Sequence, residues 1–382
     1  MAKTAKINVK DGDLLASIQE CLQSILRLED ISAVLVPQHL PMKNVVMPTL
    51  VTDPDQLDGV DPLAPVFPMT SAKLVSRLTR KPMGGKVVAV MRSCELRAFI
   101  ELVKLKQGSI DELVVLGIDC MGTYRTDDYL GIVGDNGKDT TVKFYKNVLS
   151  GGATALDGID LTSTCKACEH PVPTSADINI GLFGVDTNDH LLVQAQTPAG
   201  EELLNSLGLS GADEPPGRKD AIATLVSERT AFRDKMFEET TEITNSLDKL
   251  TQYLASCINC YNCRVACPVC YCKECVFVTD VFNHEPSQYL RWANRKGILK
   301  MPTDTVFYHI TRLAHMSTAC IGCGQCSNAC PNDIPVMELF RTVSDGTQKA
   351  FEYEAGRSIE DEPPLSVFRE DELTDVVGIG KR

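Results

Sequence analysis

The feature that most constrains the fold is a cysteine run that occurs twice. Cys257-Ile-Asn-Cys260-Tyr-Asn-Cys263-Arg-Val-Ala-Cys267-Pro268 is matched by Cys320-Ile-Gly-Cys323-Gly-Gln-Cys326-Ser-Asn-Ala-Cys330-Pro331, and both read C-x2-C-x2-C-x3-C-P. A 4Fe–4S cube needs one thiolate at each iron; a short loop wraps three corners, and the fourth ligand comes from farther along the chain. In two-cluster ferredoxins the fourth Cys of each run serves the other cube. That rule assigns Cys257, Cys260, Cys263 and Cys330 to one cube and Cys320, Cys323, Cys326 and Cys267 to a second. A structural zinc takes thiolates in two pairs, which explains neither the third Cys of each triplet nor the shared C-x3-C-P ending. The spacing predicts a dicluster electron relay.

Length leaves room for more than that relay: 382 residues suffice for two or three domains with substantial cores. The net charge of −13 argues against nucleic acid and anionic membrane surfaces and permits a basic protein partner; it also simply keeps a chain soluble. No apolar stretch of signal-peptide or membrane-spanning length follows the first residues, and no twin-arginine leader is present. Sixteen cysteines in a chain without those signals suit metal ligation in a reducing cytoplasm better than a disulfide framework.

Before the cysteine runs the pattern alternates strand and helix. Leu14, Leu15, Ile18, Cys21, Leu22, Ile25 and Leu26 recur at helical spacing, with Cys21 as a small buried hydrophobe on that face. Apolar runs at 33–36, 86–91 and 112–118 predict buried strands, with helices at 71–80 and 94–106, so the expected fold is α/β with a largely parallel sheet. No G-x-G-x-x-G follows a strand, which removes the usual dinucleotide signature. A turn-rich break at 211–217 ends this unit. The expected organisation is an α/β domain over 1–215, a helical connector over 216–256, a mainly helical dicluster ferredoxin-like domain over 257–354 with an insertion at 268–319, and a C-terminal arm over 355–382.

The remaining cysteines fall into two groups. Cys94 and Cys120 follow two of the predicted strands, where parallel sheets place ligands, with Ser93 placed to cap the helix after the first. A helix N-terminus favours the ligating thiolate. With Cys165 and Cys168 they make four thiols, enough for a third cube, for a zinc site, or for two buried thiols beside an unrelated C-x2-C pair. Cys270, Cys272 and Cys275 open the insertion; they suit a further cluster, an exchange with Cys267, or packing beside a cube. Within the insertion a helix at 304–316 is expected to carry Phe307, Ile310, Leu313 and Ala314 on one side, with His309 and His315 as surface or capping residues.

Arg92-Ser-Cys94-Glu-Leu-Arg97-Ala, the Cys165 and Cys168 pair and Ala176-Asp-Ile-Asn-Ile-Gly181 resemble the beta-subunit family of coenzyme F420 hydrogenase and formate dehydrogenase. Cys330-Pro-Asn-Asp-Ile-Pro335 and Tyr353-Glu-Ala-Gly-Arg357-Ser are similar to versions of that family fused to ferredoxin motifs. The resemblance implies a beta-subunit α/β domain with one 4Fe–4S cluster, frequently with FAD, wired through ferredoxin clusters to a catalytic subunit. Carried over by residue, it implies that Cys94, Cys120, Cys165 and Cys168 share a cube. The long insertion and its three extra cysteines depart from the family pattern and point to a branch whose redox partner is neither F420 nor hydrogenase.

The function expected is therefore an iron–sulfur electron-transfer subunit of a cytoplasmic complex of the formate dehydrogenase, hydrogenase or heterodisulfide reductase kind. Its partners would be a catalytic oxidoreductase subunit and other redox proteins. The alternative is a flavoenzyme subunit whose FAD exchanges a hydride with F420 or a nicotinamide. No acid–base pair, triad or phosphate loop stands out, so no residue is assigned a catalytic role.

Overall fold

The computed structural model describes residues 3–41, 45–134, 137–272, 274–279, 285–296 and 304–366. In chain order the elements of the first part are β1 (Thr4–Asn8), α1 (Leu14–Leu26), β2 (Ile31–His39), β3 (Val46–Val51), α2 (Ala72–Leu78), β4 (Lys86–Met91), α3 (Ser93–Lys104), β5 (Leu113–Ile118), α4 (Thr126–Ile132), α5 (Gly137–Leu149), α6 (Ser163–Lys166), β6 (Ile178–Gly181), β7 (His190–Ala195), α7 (Pro198–Leu207) and β8 (Ser210–Gly211). The second part contains α8 (Arg218–Thr244), α9 (Leu247–Tyr253), α10 (Asn262–Ala266), α11 (Pro286–Lys296), α12 (Asp304–Met316), α13 (Gln325–Asn328) and α14 (Val336–Ala350).

The strands form one eight-stranded sheet in the order β3-β2-β4-β5-β6-β7-β1-β8. Its centre, β2-β4-β5-β6, is parallel, and the flanking pairings are antiparallel. The sheet is thus α/β as expected but mixed rather than largely parallel. The expected strands at 86–91 and 112–118 are continuous buried apolar runs, the signature of strands covered on both faces. The flanking strands alternate or are short, and their signal is weaker. Local chemistry places the helices: Asp13 accepts from the Ala16 amide at 2.9 Å to start α1, and Thr197 caps α7, which ends at Gly208 with φ of 60°. Cys21 packs in the core under α1, where burial pushes its thiol up to about 12.

Each face of the sheet has its own core. One is built from α1, α5 and α7 over Val34, Val88, Leu116 and Ile180. The other joins Ala89, Met91 and Val115 through Leu96 and Phe99 to Ile321, Ile334, Leu339 and Phe340, so the cysteine-rich half packs directly against α3 and the sheet.

Several expectations are corrected here. Ser93 is the first residue of α3 and buried; the amide at the helix start, that of Arg92, is met instead by Glu95 at 3.0 Å. In the 220–256 segment the apolar residues Phe232, Met236, Ile243 and Leu247 stand among many charges, and of these four only Met236 is buried. Guanidiniums hold α8 in place: Arg218 pairs with Asp119 at 2.6 Å with both side chains buried, and Arg229 donates to the Met121 carbonyl at 3.1 Å. The arm beginning at 355 starts inside the core, with Arg97 donating to the Ala355 carbonyl at 2.6 Å. Its remainder, 367–382, and residues 300–303 of the insertion lie outside the described residues.

Candidate iron–sulfur centres

The two cysteine runs share a backbone shape. Asn259 and Tyr261, before and after Cys260, have φ of 52° and 61°; Gly322 and Gly324, at the matching places around Cys323, have φ of 69° and 75°. Alternating right- and left-handed residues turn successive N–H groups toward one concavity, the nest that binds anions in many Fe–S sites. Glycine meets this requirement freely in the second run, and Asn259 is tolerated in the first.

Cys257, Cys260, Cys263 and Cys330 line one cavity of ≈ 340 Å³. The fourth cysteine of the second run therefore stands with the first triplet. Burial raises the Cys257 thiol, and the neighbouring Cys263, Cys330 and Cys260 raise it further. The converse holds for the other run: burial lifts Cys323 and Cys326, each in the field of Cys267 and Cys320. The four sequence-assigned residues are thus together in both cases.

Cys94, Cys120, Cys165 and Cys168 are also brought together. Burial pushes the Cys94 thiol well up, overriding the helix start, and Glu95, Cys120, Cys323 and Cys168 add to it. Burial likewise raises Cys120, opposed by Arg92 and Arg229 and reinforced by Cys165 and Cys168. The Thr123 amide lies 3.3 Å from Cys165 Sγ and donates to it. Gly122, at φ of 114°, permits this approach, because a Cβ there would stand 2.7 Å from Leu161 and 3.3 Å from the Cys165 side chain. Because Cys323 neighbours Cys94, this group adjoins that of Cys267, Cys320, Cys323 and Cys326.

The donor sets fit iron–sulfur cubes. All these cysteines are free thiols, and desolvated thiols crowded together lose their protons readily only to a cationic centre, which deprotonates a coordinating thiol outright. Among the described residues, no three His, Cys, Asp or Glu side chains close on a point able to hold a single ion.

The extra cysteines differ in their surroundings, although Cys272 is near enough to add to the rise that burial gives the Cys270 thiol. Cys270 packs in the core beside Cys267, Cys272 is exposed, and Cys275 packs against Cys263, Phe277 and Tyr308.

The sequence reading missed the partners that α12 supplies. Phe307 and Ile310 face outward, 55% and 43% exposed, Leu313 packs partly into the core, and Tyr308, His309 and Arg312 are buried. His309, expected at the surface, is 1% exposed with Nε2 3.4 Å from Cys257 Sγ. Burial, helped by Arg312, lowers its pKa to about 4, which leaves the ring neutral. His315 is exposed, as expected. Tyr308 Oη lies 3.5 Å from Cys263 Sγ, and Arg312 Nη1 donates to the same sulfur at 3.1 Å. Arg312 also acts on Cys267 and Cys326, so one buried guanidinium faces both cysteine-run groups. The signal was present in the sequence as a polar stripe of Thr305, Tyr308, His309 and Arg312 at helical spacing.

Comparison with known proteins agrees with this picture. A model of a 4Fe-4S dicluster domain matches residues 253–334, a domain for two such clusters. The F420-dependent formate dehydrogenase subunit beta of Methanocaldococcus jannaschii is 26% identical over 323 residues, covering 78% of this chain and 80% of the relative. The F420-dependent formate dehydrogenase 1 subunit beta of Methanococcus maripaludis is 27% identical over 309 residues, covering 73% and 75%. A chain of the F420-reducing NiFe hydrogenase complex from Methanosarcina barkeri aligns over 65% of this chain and 93% of its own length, at 15% identity and a TM-score of 0.46. Over most of its length the chain is thus similar to beta subunits of F420-dependent formate dehydrogenases, and its residues 253–334 match a 4Fe-4S dicluster domain.

Proposed function

We propose that this chain is the electron-transfer subunit of a cytoplasmic multi-subunit oxidoreductase, passing single electrons between a catalytic subunit and other redox proteins. Three groups of ligands would hold three cubes: Cys257, Cys260, Cys263 and Cys330; Cys267, Cys320, Cys323 and Cys326; and Cys94, Cys120, Cys165 and Cys168. Each bound cube supplies reversible one-electron chemistry whose potential follows charge, hydrogen bonds to sulfur and exposure. The observation that carries the reading is the continuity of the groups: Arg312 joins the first to the second, and Cys323 with Cys94 joins the second to the third. The chain's own residues keep water out and hold the sulfurs. Phe340 and Leu339 cover the second group from α14, while the Thr123 amide and the α12 side chains donate to sulfur. The names of the relatives support an F420-dependent formate dehydrogenase as the parent complex. The division at 1–215, 216–256, 257–354 and 355–382 is proposed with it.

A second reading has one specific observation. At the carboxyl ends of β2, β4 and β5, a cleft of ≈ 410 Å³ is lined by Pro37, Arg92, Cys120 and Gly122, the place where open α/β sheets take ligands. A flavin there would exchange a hydride with F420 or a nicotinamide and pass electrons on singly. The space enclosed within it, ≈ 20 Å³, is far below the roughly 300–1,000 Å³ typical of ligand pockets, which favours the relay without FAD.

Native mass spectrometry of anaerobically purified protein tests both readings. Three cubes without FAD are expected; FAD in the same species would establish the second reading, and two cubes would remove the third group. In Cys165→Ala, iron should fall by about one cube, roughly four atoms; unchanged iron would sink that ligand assignment.

A further inference from the structure

On a chain of net charge −13, one groove carries only positive charges among its described lining residues. It lies between α2 and the loop of the first cysteine run, has ≈ 1580 Å³ of open space, and its described lining includes Lys73, Arg77, Arg80 and Arg264 but no carboxylate. These charges are built into the fold. Lys73 Nζ donates to the Val265 carbonyl at 2.9 Å, burial lowers its pKa, and Arg77 and Arg264 stand close enough to lower it further. Arg264 Nε is buried without a partner. Arg80 is held at the rim by the Gln107 carbonyl at 3.2 Å.

The groove also has an apolar centre. Val265 is 62% exposed there, beside the exposed Met69 and Tyr271. An apolar centre enriched in Met, Tyr and Arg within a charged rim is the composition of a protein interface. Its rim cations Arg77 and Arg80 are exposed, which suits a broad acidic surface better than a single phosphate. Its floor reaches the redox machinery: Cys270 lines the groove and stands beside Cys267.

We propose that this groove is the docking site for the acidic face of an electron-carrier protein, an interaction that rests on the relay reading above. Elsewhere the acidic surface repels such a carrier, so attraction to this patch sets both the encounter rate and the orientation. The docked carrier loses one electron, and the oxidised centre served by Cys267 gains it. No bond forms or breaks and no proton is required. Electrons then enter at the middle group of the three, from which both neighbours are reached.

The test is stopped-flow reduction of the anaerobic full-length holoprotein by a small acidic ferredoxin, reduced beforehand, over a range of salt. For the wild-type protein the second-order rate constant should fall with ionic strength. In Arg77→Glu with Arg80→Glu it should be at least tenfold lower at low salt and rise with added salt, while iron content and reduction by methyl viologen radical match wild type. Val265→Glu, which places an acid at the apolar centre, should also slow the ferredoxin reaction. Equal ferredoxin rates in wild type and the double variant, or a rate indifferent to salt, would overturn the docking site. A holoprotein that viologen cannot reduce would overturn the relay itself, so the two failures are distinguishable.

Discussion

Arg312 shows how a single side chain serves two centres. Its guanidinium donates to Cys263 Sγ at 3.1 Å and to the Cys263 carbonyl at 3.2 Å, and its plane lies 4.7 Å from the Phe340 ring centroid. A buried positive charge favours the more negative, reduced state of a nearby cluster, so it raises the potential. Arg312→Met should therefore lower the midpoint potentials of both dicluster centres in an anaerobic titration followed by EPR. A charge-assisted hydrogen bond of about 1.5–3 kcal/mol sets a ceiling of roughly 65–130 mV for a one-electron couple. Tyr308→Phe removes one hydroxyl beside Cys263 and should lower one centre only. Equal shifts in the two variants would refute the shared role of Arg312.

Elements in this chain are oriented by what their polar faces find. The α12 helix buries Tyr308, His309 and Arg312 because thiolates on the facing loops need donors, and that requirement outweighs burial of Phe307 and Ile310. The segment after α14 follows the same logic. Tyr353 Oη and the Gly356 amide both donate to the buried Glu101 carboxylate, at 2.6 and 2.7 Å, and Lys104 pairs with that carboxylate at 2.6 Å. Gly356 has φ of 75°, and a Cβ there would stand 2.5 Å from the Arg97 backbone carbonyl. Gly356→Ala should cost about 1–3 kcal/mol of stability through strain. It should also expose the 353–357 segment to limited proteolysis; a digestion pattern and Tm equal to wild type would show that the clamp is dispensable.

At the scale of the whole molecule, the two faces of the sheet depend differently on metal. Among the described residues the core under α1, α5 and α7 includes two cysteines, Cys21 and Cys165, whereas the opposite core incorporates Cys94, Cys257, Cys267, Cys270, Cys320, Cys323, Cys326 and Cys330. Because cluster binding is coupled to folding of the loops that hold the ligands, anaerobic removal of iron should loosen the second core first. Hydrogen exchange after chelation should show lost protection in α12 and α14 and retained protection in β1 and β7; uniform loss would mean that the molecule is one cooperative unit.

The amino-acid sequence by itself determined which thiols of the two runs stand together. Thiol spacing in a short loop is a local property, so the exchange of fourth cysteines between the two runs was legible before any contact was known. The continuous apolar strands 86–91 and 112–118 were legible for the same reason. Tertiary structure alone decided which face of α12 is buried, that α8 is held by Arg218 and Arg229 rather than by Phe232 and Ile243, and that Cys270 packs beside Cys267 while Cys275 packs against Cys263. Those outcomes depend on partners far along the chain. A helix carrying both an apolar and a polar stripe has two sensible orientations until the groups it must face are in place.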